Sequence, residues 1–330
     1  MNKFSVIIPV YNASRFLREC LDSVCAAVKA LEKAVEVICI DDGSTDGSGE
    51  ILEEYKNSNF RVIHQKNAGV WAARNAALEV AKGEYITFID ADDTIEPYWF
   101  ASAAKLIAAN SPDLVRLGEK WGRFKGEQGT FEGPAAAKWA WTTLSDYGYL
   151  WLCFIRRDVI GDLRFRPVIN CKEDGIFLME LAPKLKKVCE GNYAGYRYRM
   201  CAGSLTKKNR RVEQSIAYLT ALREIWEAQS AWAKRMGIES TLRCHLKCAA
   251  SHDVIEWVQR GVSGEDGAPI HQNFIVLEKS GAIPRGWYEQ KRFLIPFLWW
   301  RMTGQTWLIR LADQLAHGVH GVLQLFKRKR

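Results

Sequence analysis

The amino-terminal third of the chain constrains its fold most, because short apolar runs there alternate with longer stretches of helical periodicity. Phe4 to Val10 reads as a strand. From Ser14, a residue type that caps helices, Leu17, Cys20, Leu21, Val24, Val28 and Leu31 recur at spacings of three and four, one face of a helix. Val35 to Ile40 is a second strand, Ile51, Leu52 and Tyr55 mark a second helix, and Arg61 to His64 is a third strand. Val70, Ala73, Ala77 and Val80 mark a helix that Gly83 ends, and the following apolar run leads directly into Asp90-Ala91-Asp92-Asp93. Strands separated by helices predict an α/β fold, with a mostly parallel sheet, right-handed crossovers and flanking helices. Every loop at a strand's carboxyl end then opens on one edge, so Asn12, Asp41, Asp42 and Asp90 to Asp93 converge there.

Three acids at one strand end call for something positive. In open α/β sheets ligands bind beyond the carboxyl ends of the strands, which points to a divalent cation carrying an anionic ligand. Mg²⁺ and Mn²⁺ favour one or two carboxylates plus substrate phosphates, which fits so few acids. The competing reading is an acid cluster that caps the helix expected near Pro97. Asp42, Ser44, Asp46, Gly47 and Glu53 match positions of a calcium loop, but such a loop is entered from a helix and this one follows a strand. No Gly-x-Gly-x-x-Gly follows the first strand and no Gly-x-x-x-x-Gly-Lys-Ser/Thr occurs. A diphosphate here would therefore be neutralised mainly by metal, at Asp90 and Asp92.

With 330 residues, 48% of them hydrophobic, the chain can bury a full core and an appendage. The net charge of +8 is concentrated at the end, where Ile283 to Arg330 holds nine Lys or Arg against two acids. Nine cysteines without a Cys-x-x-Cys pair argue against a disulfide framework or zinc ribbon and for a reducing, cytoplasmic compartment. Cys20, Cys25 and Cys39 sit in apolar patterns as small core residues. Cys244, His245 and Cys248 lack a fourth ligand and share a helix face only in part. No stretch resembles a signal peptide or is long enough to span a membrane.

Phe4-Ser-Val-Ile-Ile-Pro-Val-Tyr-Asn12, Asp41-Asp-Gly-Ser-Thr-Asp46, Gly69-Val-Trp-Ala-Ala-Arg-Asn75 and Gly83 to Asp93, in this order and spacing, resemble the signature of the family 2 glycosyltransferases with the GT-A fold. The resemblance implies inverting transfer of a sugar from a nucleotide diphosphate, usually a UDP-sugar, to an acceptor hydroxyl, with Mn²⁺ or Mg²⁺. Carried over, it places Pro9, Tyr11 and Asn12 along the nucleoside pocket, with Asp41 beside it, and Asp42 at the base. It places Arg74 near the base or diphosphate, Asp90 and Ala91 near the ribose and metal, and Asp92 on the cation, with Asp93 behind them or capping the next helix. An inverting transfer also needs a base on the acceptor's side. The family's Glu-Asp pair matches Glu173-Asp174 in Cys171-Lys-Glu-Asp-Gly-Ile-Phe177, so Asp174 is the candidate base and Glu173 its partner. Gly175 directly after the pair departs from the usual pattern.

Tyr196 to Arg199 and Gly203 to Thr206 resemble the segment that closes this fold near the diphosphate. Between them and the nucleotide half, Trp121, Phe124, Phe131, Trp139, Trp141, Tyr147 and Tyr149 offer faces for sugar stacking or for a core. The resemblance covers residues 1–207, a nucleotide half to 110 and an acceptor half from 111, and 208–330 reads as a helical extension. There Ile216, Leu219, Leu222, Ile225 and Trp226 share one helix face. Leu308, Leu311, Leu315, Val319, Val322 and Phe326 form another stripe before Lys327-Arg-Lys-Arg330, near Trp287, Trp299, Trp300 and Trp307. That pattern suits either an anionic membrane surface or a solvated terminal helix. The expected enzyme works at the cytoplasmic side of a membrane on a saccharide or lipid-linked acceptor. Rival readings are a non-catalytic carbohydrate-binding subunit and a sugar nucleotidyltransferase. Nucleic acid is not an expected partner, because a four-residue basic cluster lacks a binding fold.

Overall fold

The computed structural model describes residues 3–29, 31, 34–119, 128–144, 149–167, 172–199, 212–243 and 246. Strand β1 (Phe4–Val10) is buried almost throughout, as its run of apolar residues requires of a strand covered on both faces. Parallel to it run β2 (Val35–Asp41), β3 (Phe60–His64) and β4 (Tyr85–Phe88), in the order β3-β2-β1-β4. Helices α1 (Ser14–Lys29), α2 (Ser48–Tyr55) and α3 (Val70–Val80) connect them. The buried face of α1 comprises Leu17, Cys20, Leu21, Val24, Ala27 and Val28, the stripe expected from spacing. Gly83 lies against β1 so closely that an added Cβ would meet Ser5 N at 2.4 Å and Phe4 C at 2.5 Å. Only a residue without a side chain fits between the two strands there.

Beyond β4 come β5 (Thr94–Ile95), α4 (Trp99–Asn110), β6 (Leu114–Glu119), β7 (Gly129–Glu132), α5 (Gly133–Trp139), β8 (Cys153–Arg156), α6 (Arg157–Ile160), α7 (Glu173–Leu181) and β9 (Lys187–Arg197). The sheet continues β4-β8-β6-β9-β5, with β7 also on β9. Here the sheet is mixed. Strand β8 enters antiparallel between β4 and β6, and β5 and β7 both run against β9, while β6 and β9 are parallel. The parallel expectation holds for β1 to β4 and gives way beyond them. An aromatic cluster seals the junction of the two halves, with Phe154 of β8 edge-on to Phe4 and Phe100. Of the two roles offered above for Trp139 and Trp141, the structure shows the core one: both are buried, and Trp139 Nε1 donates to Glu190 Oε2 at 2.7 Å. Phe131 stacks on Trp139.

The chain divides into two compact units, Met1–Lys207 and Lys208–Arg330. In the second, α8 (Val212–Arg235) buries Leu219, Leu222, Ile225 and Trp226, four of the residues expected on one face. The expected features at Trp121, Phe124, Tyr147, Cys171, Gly203 to Thr206, Cys244, His245, Cys248 and from residue 247 to the end, including the basic tail, lie outside the described residues. The side chain of Ile216 does too. Among the described residues no helix is long and apolar enough to cross a membrane.

Candidate active site

Register brings the loops together. Val10 pairs with Asp41, and Ile89 N–H donates to Ile7 O, so β1, β2 and β4 end along one edge. Strand β1 sits between β2 and β4, the point from which successive connections leave in opposite directions and where such sheets open a crevice. Asn12 adopts a left-handed conformation (φ 49°) and its Oδ1 accepts from Thr45 N–H at 2.8 Å. Asn12 N–H donates to Ser44 Oγ, Ala13 N–H to Ser48 Oγ, and Ser14 N–H to Asp46 Oδ2 at 2.9 Å. The cap of α1 is therefore Asp46 from the neighbouring loop, where sequence spacing suggested Ser14. Burial works against the Asp46 charge, but the Ser48 hydroxyl and the Ser14 N–H outweigh it and hold its pKa down at about 2.

The donor-side acids divide their work. Asp42 is buried, accepting from Gln65 Nε2 and Ala68 N–H on Oδ1 and from Gly69 N–H on Oδ2. It thereby fixes the turn that leads into α3. Asp41 Oδ1 accepts from Ser44 N–H, and Oδ2 lies 2.8 Å from His64 Nδ1, whose Nε2 reaches Glu53 at 3.0 Å. These two carboxylates raise the His64 pKa. Tyr11 presents an exposed ring beside them, 54% accessible, Pro9 is half-buried in β1, and Ala91 is buried at the rim.

Across the crevice, α3 reaches the acceptor half. Asn75 brackets the main chain of Phe165, donating to its carbonyl at 2.9 Å and accepting from its N–H at 2.8 Å. The buried Arg74 guanidinium passes over the Phe165 ring, and its Nη1 donates to Glu173 Oε1 at 2.6 Å and its Nη2 to Asp90 Oδ1 at 3.2 Å. Glu173 and Asp174 form the first turn of α7, and Gly175 continues the helix, donating its N–H to Asp174 Oδ1 at 2.8 Å. Burial and the adjacent Glu173 charge push Asp174 up to about 7, with Arg74 opposing them.

Asp93 does not cap α4, whose preceding residue is Tyr98 without a side-chain cap. It is buried instead, accepting from the Tyr196 hydroxyl at 2.8 Å and from Arg199 N–H at 2.7 Å. Burial, then the charges of Asp90 and Asp92, raise its pKa to about 8. Arg199 Nε also donates to Asp92 O, and its guanidinium pairs with Glu19. Asp90 and Asp92 are both partly exposed at this rim. Asp90 and Asp92 offer two hard carboxylates at this rim, and among the described residues no group of three His, Cys, Asp or Glu is disposed to hold an ion. Sequence spacing gave no signal for the roles of Asp46, His64, Phe165 or Trp151, which stacks on Tyr196 at 4.3 Å.

The family model described as Glycosyl transferase family 2 matches residues 5–150, the span that carries the donor-side loops. Residues 5–150 are thus similar to glycosyl transferase family 2. Among curated proteins the chain is similar to the glycosyltransferase GlyA of Streptococcus pneumoniae, 31% identical over 226 residues, which are 62% of this chain and 32% of that protein. It is also similar to the poly(ribitol-phosphate) beta-glucosyltransferase of Bacillus spizizenii, 46% identical over 97 residues, 28% of this chain and 15% of that protein. The chain thus spans a third or less of the length of these two curated relatives. Staphylococcus aureus TarS 1-349, solved with UDP-GlcNAc, superposes with a TM-score of 0.72 at 22% identity, over 96% of this chain and 92% of that one. The fold is that of the GT-A glycosyltransferases.

Proposed function

We propose that the chain is an inverting glycosyltransferase that moves a sugar from a nucleotide diphosphate, UDP by preference, to a hydroxyl of a saccharide or lipid-linked acceptor in cell-surface polysaccharide synthesis. The observation that carries this reading is the meeting of the donor-side acid Asp90 with the Glu173–Asp174 pair through one guanidinium, across 99 residues of sequence from Arg74 to Glu173. It joins a phosphate-handling rim to a carboxyl group whose proton affinity suits a general base near neutral pH. In the reaction the acceptor oxygen attacks the anomeric carbon as the bond to the diphosphate breaks. Asp174 takes the acceptor's proton on Oδ2, while its Oδ1 stays on Gly175 N–H. Glu173 orients this group from the preceding position.

On the donor side Pro9, Tyr11 and Asn12 line the nucleoside pocket, Asp41 and Asp42 hold its walls, and Ala91 sits at the ribose. Asp92 and Asp90 would hold Mg²⁺ or Mn²⁺ together with phosphate oxygens, and the ion, when bound, offsets the charge gathering on the leaving diphosphate. The relatives that act on poly(ribitol-phosphate) or were solved with UDP-GlcNAc support the choice of donor and of a wall-polymer acceptor. The basic tail is proposed to bring the enzyme to an anionic membrane face on the cytoplasmic side. The test is a screen of UDP- and GDP-sugars with and without Mn²⁺, reading thermal stabilisation and release of the nucleoside diphosphate. A UDP-sugar that stabilises the fold and is turned over only with acceptor supports the reading. Binding without turnover on any saccharide would make the chain a sugar-nucleotide-binding subunit.

A further inference from the structure

We propose that Arg74 is a positioning residue for sugar transfer, one that sets the Glu173–Asp174 pair against the donor rim by giving each side one nitrogen of its guanidinium. The inference rests on the transferase reading of the same site and adds to it a residue that need touch neither substrate. Arginine usually binds one carboxylate through two parallel N–H groups, which is its strongest arrangement. Arg74 does otherwise. Nη1 takes Glu173 at the start of α7 and Nη2 takes Asp90 just after β4. Its Nε is buried without a hydrogen-bond partner, so the guanidinium spends one N–H on each carboxylate and none through Nε.

The surroundings are built to hold the split. The ring of Phe165 lies under the guanidinium, 5.4 Å from its central carbon, and is itself stacked on Phe177 of α7 at 4.1 Å. Asn75, the next residue of α3, grips the Phe165 main chain in both directions. Two consecutive residues of one donor-side helix thus fix the segment that precedes the candidate base and the acid beside that base. Of the charged and titratable groups that act on Asp174, Glu173 and Asp90 repel its negative form and Arg74 attracts it, while Cys153 lies close enough to feel its charge.

The test compares R74Q and R74K with the wild-type chain for UDP binding by calorimetry, for transfer across pH, and for the ¹³C titration of the Asp174 carboxyl, assigned with D174N. Both variants are expected to lose kcat by about tenfold or more, beyond any change in their affinity for UDP. In R74Q the acid limb of the kcat profile and the carboxyl titration both move up by about half a unit or more, since a cation has been removed from beside the base. A folded R74Q whose carboxyl titration stays in place, or whose kcat loss is matched by lost UDP affinity, overturns the proposal. Should R74Q not fold, R74K keeps the charge but reaches only one carboxylate, and full kcat in it overturns the proposal equally. If the wild-type chain transfers no sugar, the transferase reading fails, and the carboxyl titration still decides whether Arg74 governs Asp174.

Discussion

Tyr196 donates its phenolic hydrogen to Asp93 across 2.8 Å, and the main-chain N–H of Asp90 donates to the same hydroxyl at 3.2 Å. One residue near the end of β9 therefore serves two of the rim acids from the acceptor side. Tyr196→Phe removes both bonds inside a buried site. It should cost about 1–2 kcal/mol of stability, read by urea unfolding, and should weaken Mn²⁺-dependent UDP binding. Unchanged UDP affinity in Y196F would show that the hydroxyl serves only the fold.

The two acidic groups of the site predict separable defects. Asp92→Ala should abolish metal-dependent donor binding in calorimetry. Asp174→Asn should leave the UDP dissociation constant near that of wild type and lower transfer by about a thousandfold, since a positioned base contributes about 10²–10⁴ in rate. Retained transfer in D174N would remove it from the mechanism.

His64 makes stability depend on pH. Its pKa is raised in the fold by bonds to Asp41 and Glu53. A raised folded pKa means that the contribution is fully present below the unfolded value of about 6.5 and is lost as pH rises through the folded one. The stability difference between the wild-type chain and His64→Gln, measured by urea unfolding, should therefore shrink as pH rises above the unfolded value of about 6.5. A difference that is flat or grows over this range contradicts the pairing.

Gly83→Ala tests the contact between β1 and the start of β4. Its new methyl would fall 2.4 Å from Ser5 N, a main-chain atom that cannot swing aside. A loss of about 1–3 kcal/mol is expected, with overpacking as the cause. A melting temperature equal to wild type would mean that the strands separate freely.

Deleting Phe293 to Arg330 removes most of the basic excess of the chain. The shortened protein should no longer sediment with anionic vesicles, whereas the full chain should do so in a salt-dependent manner. Equal sedimentation of both would reject the tail as an anchor.

Much of the donor half was legible because its signals are local. The apolar run Phe4–Val10 and the stripe from Leu17 to Val28 each occupy one element, so period alone finds β1 and α1. The acceptor half is less legible, since nothing near Cys153 announces that β8 will run antiparallel between β4 and β6. The same holds within the site. The positions of Asp90 and Asp174 follow from motif and order, yet the Arg74 bond to Glu173 joins segments that share no sequence pattern. Asp46 as cap of α1 was hidden for a like reason, because capping rules look along one chain segment and this cap comes from another.

The stitched loops after β1 and β2 carry a thermodynamic consequence. With Asn12, Ala13 and Ser14 already fastened to Thr45, Ser44, Ser48 and Asp46, the loops proposed to receive the nucleoside have surrendered their freedom beforehand. Little chain entropy remains to be lost on association, so recognition of the nucleoside resembles docking onto a rigid body, and a mismatched base gains nothing by waiting for the walls to adapt.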